Sequence, residues 1–239
     1  YLIQKTQQYC NMTIEEAHIE LEISVDKRST SQVPELPPEM KDYFLQTASE
    51  SFVKTRYGKN NMYKSGFEEI QKRTEDLKTL VINWTDDTVP DSINSFDSNA
   101  VVMPLPLDYW FWVRGRAYVS RDNCPDGWAR GIRLVTHDKL EKVRHDPFNK
   151  SVADQPVVYF EEGNIKILEG DKFEVTKFQL AYIKHPAKVN IGTYGQDKVE
   201  FDLPSHTHKE IIQLATETII ENVESRRVQT NKQNLMTME

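Results

Sequence analysis

Asp108-Tyr109-Trp110-Phe111-Trp112-Val113-Arg114-Gly115-Arg116-Ala117-Tyr118-Val119 is the stretch where the periodicity of this 239-residue chain changes. Upstream, apolar side chains recur at helical spacing. Here they alternate, with Tyr109, Phe111, Val113, Ala117 and Val119 on one face and Trp110, Trp112, Arg114, Arg116 and Tyr118 on the other. A period of two predicts a long strand with an amphipathic outer face. It sets the fold class as α+β: an N-terminal helical unit, a mainly antiparallel β domain, and a C-terminal helix with a polar tail.

Downstream, Asp122-Asn123-Cys124-Pro125-Asp126-Gly127 has strong turn chemistry and leads to a second strand over 128–135, so the pair reads as a hairpin. A short helix over 138–144 is stopped by Asp146-Pro147. Further strands are predicted at 157–161, 164–168 and 173–184, with Glu162-Gly163-Asn164 as the turn between the first two. Connections this short imply antiparallel order. The β domain is bounded at 101–203.

Upstream, Thr13-Ile14-Glu15-Glu16 opens a capping-box helix lasting to about residue 27, with Ile14, Ala17, Leu21 and Val25 on one face. Pro37-Pro38 starts a second helix, ended by Gly58, whose Leu45, Ala48 and Phe52 share a face. A third begins at Ser65 with Glu68 in the capping position, and its stripe is Phe67, Ile70, Leu77, Leu80 and Val81. Residues 1–85 thus read as helical, and 86–100 as an acidic, turn-rich linker. That linker lacks the glycine and the terminal glutamate of an EF-hand loop.

The last element can be read in two ways. In Leu203-Pro204-Ser205-His206-Thr207-His208-Lys209-Glu210-Ile211-Ile212-Gln213-Leu214-Ala215, His206, His208 and Glu210 invite a metal ligand set. Thr207 and Glu210 equally form a T-x-x-E capping box ahead of apolar residues at helical spacing. A cupin-type spacing fails because only Lys209 separates His208 from Glu210. The helix reading, over 204–227, is preferred, and no metal or cofactor is assigned. Its apolar side carries Ile211, Leu214, Ala215 and Ile219, and Arg226-Arg227 close it where cations favour the helix dipole. Residues 228–239 read as a flexible or partner-ordered tail.

Composition narrows the function classes. Hydrophobic residues make up 38% and charged ones 28%, and the mean hydropathy is −0.63. That suits an elongated protomer completed by its neighbours, although charged exposed helices give the same average. Only Cys10 and Cys124 occur, without metal-ligand spacing, which fits a reducing compartment. No secretory signal or membrane span is predicted. The net charge of −7 lies mostly in residues 1–100, with 11 basic against 17 acidic side chains. No long basic stripe is present to grip nucleic acid. His137-Asp138 and His145-Asp146 carry no catalytic geometry, because adjacent residues face different ways. None of the G-x-S-x-G, Walker A, G-x-G-x-x-G or H-E-x-x-H patterns occurs. The face bearing Trp110, Trp112, Arg114 and Arg116 could stack on single-stranded bases, or pack on the helices or a neighbouring subunit. Net acidity favours subunit packing.

The order of motifs is similar to that of a structural protein of crAss-like and related tailed bacteriophages of gut Bacteroidetes, a ring or connector protein of the portal-to-tail region. It is carried by Leu105-Pro106-Leu107-Asp108-Tyr109, Asp146-Pro147-Phe148-Asn149-Lys150, Tyr159-Phe160-Glu161-Glu162-Gly163, Leu180-Ala181-Tyr182-Ile183-Lys184-His185-Pro186 and the helix start at Leu203-Pro204. Leu36-Pro37-Pro38-Glu39 and Gly66-Phe67-Glu68-Glu69-Ile70-Gln71-Lys72-Arg73 extend it to the N-terminal half.

The resemblance implies a non-enzymatic virion protein, assembled in the host cytoplasm as a homo-oligomeric ring, a dodecamer if it sits directly on the portal. Its partners would be the portal protein, adjacent tail or ring proteins and, in passing, genomic DNA. The C-terminal helix and tail would dock on the portal. A virion decoration or tail-attached protein outside the DNA path, and a metal-dependent enzyme using His206, His208 and Glu210, are the alternatives.

Overall fold

A computed structural model describes residues 12–28, 36–58, 70–86, 100–121, 124–170, 173–192 and 197–236. In chain order the elements are α1 (Ile14–Arg28), α2 (Pro38–Tyr57), α3 (Gln71–Leu77), β1 (Val81–Asp86), β2 (Ala100–Pro104), β3 (Tyr109–Arg121), β4 (Cys124–Gly131), β5 (Arg133–Leu134), α4 (His137–His145), β6 (Val157–Glu161), β7 (Asn164–Leu168), β8 (Glu174–Lys184) and α5 (His208–Met236). They form two compact units, one of Tyr1–Leu80 with Pro186–Glu239 and the other of Val81–His185.

The first unit is helical. The capping box at the start of α1 forms reciprocally: the Thr13 amide donates to Glu16 Oε2 at 3.0 Å, and the Glu16 amide to Thr13 Oγ1 at 3.3 Å. Ile14, Ala17, Leu21 and Val25 of α1, and Leu45, Ala48, Phe52 and Val53 of α2, are buried. Each large side chain so buried contributes about 1.5–3 kcal/mol. A buried polar pair links α1 to α2, with His18 Nε2 2.7 Å from Asp42 Oδ1. The third helix departs from expectation. Its proposed start at Ser65 and Glu68 lies outside the described residues, and it ends at Leu77, so that Val81 opens a strand instead of extending the apolar stripe.

That strand makes the boundary of the helical region 80 and not 85. In the second unit β1 pairs with β8, giving one sheet in the order β1-β8-β3-β4 and another in the order β2-β7-β6-β5. Ala117, Val119, Val175, Phe178 and Leu180 from the first sheet share a core with Val101, Met103, Val158, Ile165 and Ile167 from the second. Alternation sends Val157, Tyr159 and Leu168 to the opposite face of the second sheet, where Leu140 and Val143 of α4 cover them. Among the described residues the unit is therefore a sandwich with one helix on the outside.

The acidic linker falls largely on 87–99, outside the described residues, although Asp86 still belongs to β1. The strand expected over 128–135 is two strands: β4 pairs with β3, and β5 crosses to the other sheet. There it runs parallel to β6, the one parallel pair among the described strands. The break falls at Ile132, which belongs to neither strand and packs on the shared core. The β6–β7 turn has φ of 52° at Glu162 and 75° at Gly163, the left-handed pair that a two-residue hairpin requires. At the far end of β8 the Tyr182 hydroxyl donates to Asp108 Oδ1 at 2.7 Å. Burial, and then that carboxylate, push the phenol up to about 12.

Candidate assembly surfaces

The segment readable as metal site or helix start lies in the helical unit, and its polar side chains point to different partners. His206 Nε2 is 2.9 Å from Asp76 Oδ1. His208 is 2% exposed, with Nε2 2.9 Å from the carbonyl oxygen of Leu203. A carbonyl only accepts, so that nitrogen carries the proton. Burial holds the His208 imidazole below its ordinary 6.5, against the opposing pull of the Leu203 bond. Glu210 pairs with Arg56 and Lys72. Among the described residues no group of three or more His, Cys, Asp or Glu side chains could hold a metal ion. The cluster ties α2, α3 and α5 together through Asp76, Arg56 and Glu210.

The helix start is present, but not through the box read in Thr207 and Glu210. Ser205–Thr207 first makes a 3-10 turn, and Thr207 Oγ1 donates to the Pro204 carbonyl at 2.7 Å. That turn carries Thr207 into the spiral, where its hydroxyl meets a carbonyl instead of a free amide. Nor does α5 close at Arg226-Arg227. It runs to Met236, into the stretch read as tail, because no Gly or Pro interrupts residues rich in helix formers. The side chains of Arg226 and Arg227 lie outside the described residues.

The apolar side of α5 was expected to meet a neighbouring subunit. Instead Ile211, Ala215 and Ile219 are 0%, 0% and 1% exposed, packed against α1 and α2 of the same chain, with Leu214 half-buried. Side chains covered in this way within the protomer leave little apolar surface for a neighbouring chain to meet.

The aromatic and basic face of β3 is also divided. Register shifts between Tyr109 and Phe111 and between Trp112 and Arg114 break strict alternation. Trp112 is thereby turned to the core, where it meets the Phe160 ring edge-on at 5.6 Å. Gly115 accommodates it: a Cβ there would stand 2.5 Å from the Trp112 ring and 2.3 Å from Ile132. Trp110 stacks on His185 at 4.2 Å. Arg114 and Arg116 remain exposed and stay together, beside Asn83, Thr85, Gln179 and Ala181 in a hollow of about 230 Å³.

Other exposed apolar residues escaped the sequence reading. Ile19 and Ile23 lie on α1 beside the buried stripe, and Met40 and Tyr43 on α2. Their i, i+4 and i, i+3 spacings off the main stripe were the available signal. Leu107 and Phe148 sit in turns and are 108% and 94% exposed. Among the described residues no helix is long and apolar enough to cross a membrane.

A family model described as phage tail ring protein 3/4 matches residues 12–234. No curated protein matches the chain. The match spans the helices that precede and follow the sandwich in the sequence as well as the sandwich itself, and by it the chain belongs to the crAss-like phage tail ring protein 3/4 family of structural proteins.

Proposed function

We propose that this chain forms a homo-oligomeric ring between portal and tail, where it seals the joint and lines the DNA channel without catalysing a reaction. The match to tail ring proteins over 12–234 carries this reading, since it includes both units. The ring is twelvefold if it sits directly on the portal, and its other neighbours are adjacent tail or ring proteins. It assembles in the host cytoplasm and remains in the virion.

Two physical features support the reading. A net charge of −7 without a long basic run favours DNA that slides past over DNA that is held. The apolar side chains Ile19, Ile23, Met40 and Tyr43 lie exposed on a helical unit whose core is already filled, as surfaces that meet neighbours do.

Native mass spectrometry of the chain, alone and with portal, tests the proposal. A closed oligomer of fixed copy number is expected. A chain that stays monomeric in both samples overturns it.

A further inference from the structure

We infer that Phe148 is the knob of a head-to-tail contact between copies of this chain, and that the hollow at Arg114 and Arg116 is its socket. The inference rests on the ring reading and adds which surfaces close the ring.

Phe148 is 94% exposed, yet its turn is held by hydrogen bonds. Its amide donates to Asp146 Oδ1 at 2.9 Å, and Asn149 Nδ2 donates to Asp146 Oδ2 at 2.6 Å. The Lys150 amide donates to the Asp146 carbonyl at 3.0 Å, and Arg133 donates to the carbonyl of Asn149. The bonds from the Asn149 side chain and then the Phe148 amide hold the Asp146 carboxyl below its ordinary range. A turn already fixed loses little entropy on docking, and an aromatic ring supplies much apolar contact area for few rotatable bonds. Solvated single apolar residues are common, but this one is held out on a braced turn.

The hollow suits such a guest. Its volume of about 230 Å³ is below the roughly 300 Å³ at which drug-sized pockets begin, so it fits one side chain. Among the described residues no carboxylate lines it, and two guanidinium groups stand at its wall, where they can lie over the face of an aromatic ring. Arginine and aromatic residues are also the types that dominate binding energy at interfaces.

Topology supplies the remaining argument, within the second unit alone. The Phe148 turn follows α4, which covers the side of the β2-β7-β6-β5 sheet that faces away from the sandwich. In register, Asn83, Ala181 and Arg114 align across β1, β8 and β3, as do Thr85, Gln179 and Arg116. These rows alternate with the core rows, so the hollow faces away from the sandwich on the other sheet. Knob and socket thus lie on opposite faces, and one rigid neighbour cannot occupy both. A two-fold contact reuses one patch, whereas a head-to-tail contact joins two different ones and closes into a ring when its rotation divides the full turn.

The test uses the full chain in native mass spectrometry over a concentration series, with Phe148→Ala, Phe148→Tyr and Thr85→Trp, the last filling the hollow from its exposed edge. Thermal melts by circular dichroism check that all variants fold. Phe148→Ala and Thr85→Trp are expected to raise the concentration needed for assembly at least about tenfold, and Phe148→Tyr to retain it. Mixing the two defective variants should give a one-to-one pair that neither forms alone, because one keeps the socket and the other the knob. Assembly of Phe148→Ala at the wild-type concentration, or no pair in the mixture, overturns the knob and socket while leaving the ring intact. A wild-type chain that never assembles removes both readings.

Discussion

Asp76, at 1% side-chain exposure, stands 3.0 Å from Nε of Arg56, with His206 on its other oxygen. Replacing Asp76 by Ala leaves a largely buried guanidinium with Glu210 as its remaining counter-charge. A loss of about 2–4 kcal/mol is expected, toward the lower end because Arg56 is partly solvated. Urea denaturation should show a lowered midpoint with unchanged slope.

At the helix starts, Thr13→Ala should cost about 1 kcal/mol, because a formed capping box loses its acceptor. Glu210→Gln separates the two roles open to that residue. Glutamine serves in a capping box as well as glutamate does, but it cannot pair with Arg56 and Lys72. The substitution should therefore destabilise by up to about 1 kcal/mol at low salt, and less as salt screens the charges. A silent substitution would restore the capping role.

Gly115→Ala pushes a methyl group into Ile132 and the Trp112 ring. Overpacking of this kind costs about 1–3 kcal/mol. The shift of Trp112 should appear as a changed tryptophan emission spectrum in the folded protein.

Burial lowers the His208 pKa below 6.5 in the folded chain. The unfolded chain then binds more protons just below that value, so stability rises with pH. The contribution of His208 is complete above about pH 6.5 and is lost as pH falls toward the lower, folded value. Melting temperatures measured from about pH 7.5 down to about pH 5 should fall more steeply for wild type than for His208→Gln. Parallel slopes would remove His208 as the cause.

Truncation after Arg227 removes the last part of α5 and leaves the buried face at Ile211, Ala215 and Ile219 untouched. The melt of the helical unit should not change, and co-sedimentation with portal or a neighbouring ring should weaken. Normal binding by the truncated chain would assign docking to another segment.

Helices α1, α2 and α4 and strands β6, β7 and β8 were legible because their signals are local: a capping box, a Pro-Pro start, a hairpin turn, a period of 3.6 or 2. Strand β2 was not, since Ala100-Val101-Val102-Met103 is a short apolar run without alternation. The predicted site fared unevenly for the same reason. Periodicity showed that Ile211, Ala215 and Ile219 share a face, but not that α1 and α2 of the same chain cover it. It placed Arg114 and Arg116 together, but not Trp112 in the core, because a bulge is set by pairing with β8.

By itself, then, the sequence determined the α+β class, most of the elements and the family. These follow from patterns within a few turns or strand residues. The tertiary structure alone decided that β1 joins the sandwich, that the α5 face is internal, and that Phe148 stands exposed opposite an arginine-walled hollow. Each of those depends on which distant segments meet, and exposure is a property of that meeting rather than of the residue.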